Sequence, residues 1–222
     1  MKKIGFTLAE VLITLSIIGV VAALTLPSLN TAVQKHRVGP TLRKFVNTIE
    51  NANDRMMADK DAELLSDITT ANNEDTSDAA LDYLNNLKNY VKGNVKSVEN
   101  EISVTSMNGI AENVNKNLFA LMTLESGEEV LFRRRARTEA AAPYKGRYGF
   151  VFYDLNGYST PPNKLCKDIF AFVLDETGTL FPRGSSTYNQ VYSGDNSEET
   201  KAKGYYCAGE IADNNWEVKY KY

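Results

Sequence analysis

The first thirty residues constrain this chain more than any other part of it. "KKIGFTLAEVLITLSIIGVVAAL" occupies residues 2–24, and the apolar stretch continues to Leu29. Residues 8–29 number 22, and as an α-helix rising ~1.5 Å per residue they reach ~33 Å, enough to cross the ~30 Å hydrocarbon layer of a bilayer. One carboxylate, Glu10, interrupts the run. Such a group costs ~2.5–3.5 kcal/mol at the centre of a membrane helix and less near the surface, and as a rule it is paired and functional.

Two simpler readings leave something over. A secretory signal peptide has an apolar region of ~7–15 residues followed by a small-x-small cleavage site. Here the run is longer, and Ala22-Ala23-Leu24 is a poor site of that kind. A plain signal anchor explains Lys2, Lys3 and the length, but not Glu10. In the uncut chain the nearest cation is Lys3. Cutting after Gly5 would free an ammonium on Phe6, one helical turn from Glu10. That amine, on the same chain or on a packed neighbour, would neutralise the carboxylate. Glu10 is thus explained by a chain that is processed and then packs against copies of itself.

The sequence Lys-Ile-Gly-Phe-Thr-Leu-Ala-Glu-Val-Leu-Ile-Thr-Leu resembles the N-terminus of type IV pilins and type II secretion pseudopilins, over residues 2–29. The resemblance implies a leader at residues 1–5, cleavage between Gly5 and Phe6 by a prepilin peptidase on the cytoplasmic side, and N-methylation of Phe6. It implies assembly with itself and with related subunits by an inner-membrane machinery. Residues 6–29 would form the membrane helix and later the filament core, with Glu10 setting axial register against a neighbour's N-terminal amine. The chain would first sit in the bacterial inner membrane as a single-pass protein, its globular domain outside the cytoplasm. It would then join a periplasmic or cell-surface filament. Lys35, His36, Arg37, Arg43 and Lys44 follow the span, so the positive-inside rule does not settle the orientation, which rests on the resemblance.

The remaining pattern predicts an α+β fold, a long N-terminal helix whose C-terminal half packs on a small antiparallel β-sheet. Pro27 removes a helical hydrogen bond and marks a kink, and Gly39-Pro40 marks a further bend or break. Residues 30–60 continue as an amphipathic helix, with Leu42, Phe45, Val46, Ile49, Met56 and Met57 at three- and four-residue steps. Residues 61–116 read as a variable helical insertion. It contains a polar loop at 66–78, then a short helix carrying Leu81, Leu84, Leu87 and Val91, capped by Thr76, Ser77 or Asp78. Residues 117–222 read as the β domain, with strands on either side of Ser126-Gly127, an aromatic strand over 146–157, and two more around Thr177-Gly178. The stretch from Asp154-Leu-Asn-Gly157 through Pro161-Pro-Asn163 to Lys167-Asp-Ile-Phe170 also resembles the C-terminal part of pseudopilin-like proteins.

Composition narrows the chemistry. One histidine and two cysteines do not make a zinc site, and only His36 could serve a nucleophile as base. No phosphate-cradling glycine loop is present, so the reading is non-enzymatic and without cofactors. With 25 basic and 28 acidic residues the net charge is -3, which gives no global reason to expect nucleic acid as a partner. The run Arg133, Arg134, Arg135 and Arg137 is a solvated strand end on the bland reading. On the other it is a phosphate-binding patch, extended by Lys145 and Arg147, of a minor or tip subunit that captures DNA or a surface. The interleaved aromatics of single-strand binders are missing from it. Asp154-Leu-Asn156-Gly157 lacks the other ligands of a calcium loop. Asp195, Glu198 and Glu199 could supply oxygens, though a charged turn is the simpler reading. Cys166 and Cys207 lie 41 residues apart. Outside the cytoplasm they would be bonded, which in the chain-entropy picture stabilises by ~4 kcal/mol; otherwise they are two buried thiols.

Overall fold

The computed structural model describes residues 5, 7–69, 75–99, 101–135, 146–192 and 197–220. Helix α1 (Leu8–Asp59) is one continuous element of 52 residues. It passes Pro27 and Gly39-Pro40 without interruption, so the break expected at the second site does not occur. Packing explains why glycine stands at 39. A Cβ there would lie 1.6 Å from the carbonyl oxygen of Trp216, so the bare backbone lets the C-terminal segment seat directly on the helix. The side chain of Pro27 lies outside the described residues.

The far half of α1 buries the stripe read from its periodicity. Leu42, Phe45, Val46, Ile49 and Met56 are buried, and Met57 packs at their edge. The Phe45 ring stacks on Tyr153 with centroids 3.9 Å apart and meets Phe172 edge-on at 5.4 Å. Aromatic contacts of this kind add ~0.5–1.5 kcal/mol to plain burial.

The sheet beneath α1 has six antiparallel strands in the order β1 (Gly93–Ser97), β4 (Ala120–Leu124), β5 (Glu129–Arg134), β6 (Arg147–Asp154), β7 (Ile169–Asp175) and β8 (Leu180–Pro182). Strands β4 to β8 fall where the hydrophobic pattern put them. Both faces are covered. Val130, Phe132, Val151, Phe170 and Phe172 join the cluster on the side of α1 and the Ser77–Leu87 helix, while Leu131, Ile169 and Leu121 join a second cluster on the opposite side. Two-sided burial explains why β7 reads as the unbroken run Ile-Phe-Ala-Phe-Val-Leu rather than as alternation.

Residues 61–116 depart from the expected helical insertion. They hold α2 (Leu65–Ile68) and α3 (Ser77–Leu87), but then β1 and the small hairpin of β2 (Ser103–Thr105) and β3 (Ala111–Asn113). Strand β1 pairs with β4 and so belongs to the main sheet. As an edge strand it has one neighbour, and although its burial alternates, Val95 is its one large apolar side chain, so the run Gly-Asn-Val-Lys-Ser gives little hydrophobic signal. Thr76 is the cap of α3, its hydroxyl accepting from the Ala79 N–H. The segment after β8 also differs from a pure β domain. It folds as α4 (Ser186–Val191), α5 (Glu198–Lys203) and α6 (Cys207–Asp213). Gly209 lets α6 lie on the backbone of residues 183–185, where a Cβ would come within 2.1 Å of the Ser185 nitrogen.

Candidate N-terminal processing and assembly site

Helix α1 begins immediately after the expected cleavage point. Thr7 is its N-cap, and Thr7 with Glu10 forms a capping box. The Glu10 carboxylate accepts from the Thr7 N–H at 2.8 Å and from the Thr7 hydroxyl at 2.8 Å, and the Glu10 N–H donates to the hydroxyl at 3.3 Å. A box of this type satisfies otherwise orphaned donors at the start of a helix. The carboxylate thus has a partner on its own chain. The Thr-x-x-Glu spacing is the sequence signal for this, and a reading based on charge alone passes over it. Gly5 is exposed and non-helical, two residues short of the cap. Phe6 lies outside the described residues.

Beyond the box, Leu8–Leu26 forms 19 residues of helix, apolar and long enough to cross a membrane, with none of it buried in the rest of the protein. The exposed apolar surface continues through Leu29 to Val33. Thr14, Ser16 and Thr25 return their hydroxyls to the carbonyls of Val11, Leu12 and Val21. Each of these three hydroxyls is thus paired within the helix rather than left open on the apolar surface.

The arginine run is engaged internally. Arg133 forms a two-pronged pair with Asp75 at 2.9 and 2.7 Å, and Arg135 reaches the same carboxylate at 3.3 Å. Arg134 is buried, lies 3.7 Å from the centre of the Tyr148 ring, and donates to the carbonyls of Arg135 and Tyr148. Among the described residues the run is thus neither a solvated strand end nor an open stripe for phosphates. Arg137 and Lys145 lie outside the described residues, and Arg147 is buried against Tyr188, to whose hydroxyl it donates at 2.7 Å.

Of the calcium candidates, only Glu198 and Glu199 fall among the described residues. Glu198 and Glu199 sit in the first turn of α5, where Glu199 pairs with Lys203 at 3.1 Å, and Asp195 lies outside the described residues. Among the described residues no group of three or more histidine, cysteine or acidic side chains could hold a metal ion. Asp154 ends β6 fully buried. Its Oδ1 accepts from the Asn156 N–H at 3.0 Å, and its Oδ2 has no hydrogen-bond partner. Burial pushes its carboxyl up to about 7, with the nearby Asp168 and Glu129 carboxylates adding to the rise. Cys166 and Cys207 are joined as a disulfide with Cα atoms 5.4 Å apart, tying the loop before β7 to α6. His36 is exposed on α1.

Residues 1–26 match the family described as "Prokaryotic N-terminal methylation motif". No curated protein and no solved structure matches the chain. The match ends inside α1, so the sheet domain is outside it. The chain carries, over residues 1–26, the N-terminal methylation signature of type IV pilin and pseudopilin precursors.

Proposed function

We propose that this chain is a structural subunit of a type IV pilus-like or secretion-pseudopilus filament. A prepilin peptidase cuts it between Gly5 and Phe6, Phe6 is N-methylated, and the subunit polymerises through residues 6–29 with copies of itself or with related subunits. The observation that carries this reading is the long exposed apolar face of α1 with Glu10 in its first turn. In lipid that face is covered by acyl chains. In a filament the same face is covered by neighbouring helices, so extraction need not expose it to water. Glu10 holds Thr7 within its own chain before assembly, and the amine freed on Phe6 gives it a charged partner afterwards. Pro27 lacks one backbone donor inside this segment, which softens the helix there for packing.

The test compares wild type with Glu10→Ala in cells that supply the assembly machinery. Both proteins should lose the leader, and only wild type should appear in sheared filaments. Filaments of normal yield from Glu10→Ala would overturn the role given to Glu10. Absence of wild type from every sheared fraction would overturn the filament reading itself.

A further inference from the structure

The last exposed large apolar side chain of α1 is Val33, and the first residue buried in the globular core is Val38, 1% exposed. Only residues 34–37 lie between, Gln-Lys-His-Arg. Four residues of helix span ~6 Å. The polar headgroup layer on each side of a bilayer is ~5–8 Å thick. The spacing therefore places the sheet domain directly on the headgroups, with Lys35, His36 and Arg37 inside that layer. Arg43 is exposed ~9 Å further along the axis, about one Debye length at physiological salt.

The charge here is of one sign. Between Glu10 and Glu50 the chain has no acidic residue. None of Lys35, His36, Arg37 and Arg43 forms an ion pair within the described residues. Acidic groups from other elements do approach the collar. Lys44 lines a groove with Glu125 and Glu128 of the β4–β5 turn, and Glu217 follows Trp216 on the C-terminal segment. Lys44 is therefore not part of the unpaired cationic collar. Trp216, half-buried with its carbonyl on Gly39, stands at the same level. Tryptophan is enriched where one side of a ring meets lipid headgroups.

From this placement we infer that Lys35, Arg37 and Arg43, with His36, bind the phosphates of anionic phospholipids in the leaflet on which the sheet domain sits. Juxtamembrane basic residues are each favoured about fivefold near an anionic surface. A second copy is the poorer occupant in the membrane. Copies held by the same span sit at the same depth and present cation to cation. Pulling the subunit out of the membrane then requires release of these lipids as well as of the apolar helix. The inference rests on membrane insertion of α1 and adds a lipid partner to the filament reading.

The test uses the full chain in nanodiscs of phosphatidylcholine and phosphatidylglycerol, at low and high salt, with retained lipids counted by native mass spectrometry. Wild type should retain phosphatidylglycerol at least about tenfold over its bulk share at low salt, falling at high salt. The triple variant Lys35→Gln, Arg37→Gln, Arg43→Gln should fall to the bulk share. The charge-keeping triple variant Lys35→Arg, Arg37→Lys, Arg43→Lys should retain the enrichment, which separates loss of charge from loss of fold. Enrichment that survives the glutamine variant would overturn the proposal, as would no enrichment in wild type. Charge-dependent dimers without lipid enrichment would also overturn it and assign the collar to a second copy. A chain that does not enter the nanodisc at all would overturn both this inference and the membrane reading beneath it.

Discussion

The carbonyl oxygen of Trp216 lies 1.6 Å from the point that a Cβ on Gly39 would occupy. The two residues are thus in direct backbone contact, and the C-terminal segment is what holds α1 where it leaves the sheet domain. Asn215 and Trp216 reach the helix through left-handed backbone, with φ of 56° and 63°. That conformation is costly for a bulky residue and is sustained by the surrounding packing.

Gly39→Ala sets two effects against each other. Alanine improves helix propensity by ~1 kcal/mol. The added methyl meets backbone rather than a side-chain tip that can swing away, and such overpacking costs ~1–3 kcal/mol. The clash should win. Limited proteolysis should cut residues 214–220 faster in the variant, and the emission of Trp216, the sole tryptophan, should shift to the red.

A second junction ties three elements through one amide. The buried Asn53 side chain of α1 donates to the Gly178 carbonyl at 2.9 Å and accepts from the Tyr83 hydroxyl of α3 at 2.9 Å. Asn53→Ala leaves a hydroxyl and a carbonyl unpaired in the core, at ~1–3 kcal/mol each. Tyr83→Phe leaves one such group unpaired, the Asn53 Oδ1, at ~1–3 kcal/mol. Denaturant melts should therefore rank Asn53→Ala well below Tyr83→Phe. Equal losses would mean that the Gly178 contact contributes nothing.

Much of this architecture was legible in the sequence, for a reason that varies from element to element. Strands β4 and β5 and the β7–β8 turn declare themselves because hydrophobic runs flank Ser126-Gly127 and Thr177-Gly178. The stripe from Leu42 to Met56 follows from helical period alone. Strand β1 is hidden because its partner β4 lies in a later stretch of chain and Val95 is its one large apolar side chain. The partner of Arg133 is hidden for a like reason: Asp75, which neutralises it, lies 58 residues upstream. At the N-terminus the partner of Glu10 is only three residues away. Thr7 was therefore readable in principle, from capping chemistry rather than from charge.

The Cys166–Cys207 disulfide closes a span of 41 residues. The chain-entropy picture gives such a closure ~4 kcal/mol. Replacing both cysteines by serine should lower the melting temperature markedly, and adding a strong reductant to wild type should bring the two proteins together. Identical melting of wild type and the double variant without reductant would contradict this.

Asp154 makes the stability of the sheet domain fall as pH rises. Its carboxyl is favoured in the acid form by the fold, being pushed up to about 7. A group of this kind stabilises below its unfolded value of ~3.9 and loses that contribution as pH climbs through the folded value. Asp168, Asp175 and Glu50 are raised by burial as well and act with the same sign. The melting temperature should drop between about pH 4 and about pH 7. Asp154→Asn keeps the acceptor for the Asn156 N–H and removes the titration, so its profile should be flatter and lie above wild type at alkaline pH.

The most direct test of the whole reading is the mass of the N-terminal peptide from protein extracted from membranes or sheared filaments. Processing after Gly5 gives a peptide that begins at Phe6 and carries one added methyl group. A peptide that begins at Met1, or at a cut near residue 24, would contradict it and leave Glu10 with no partner beyond Thr7.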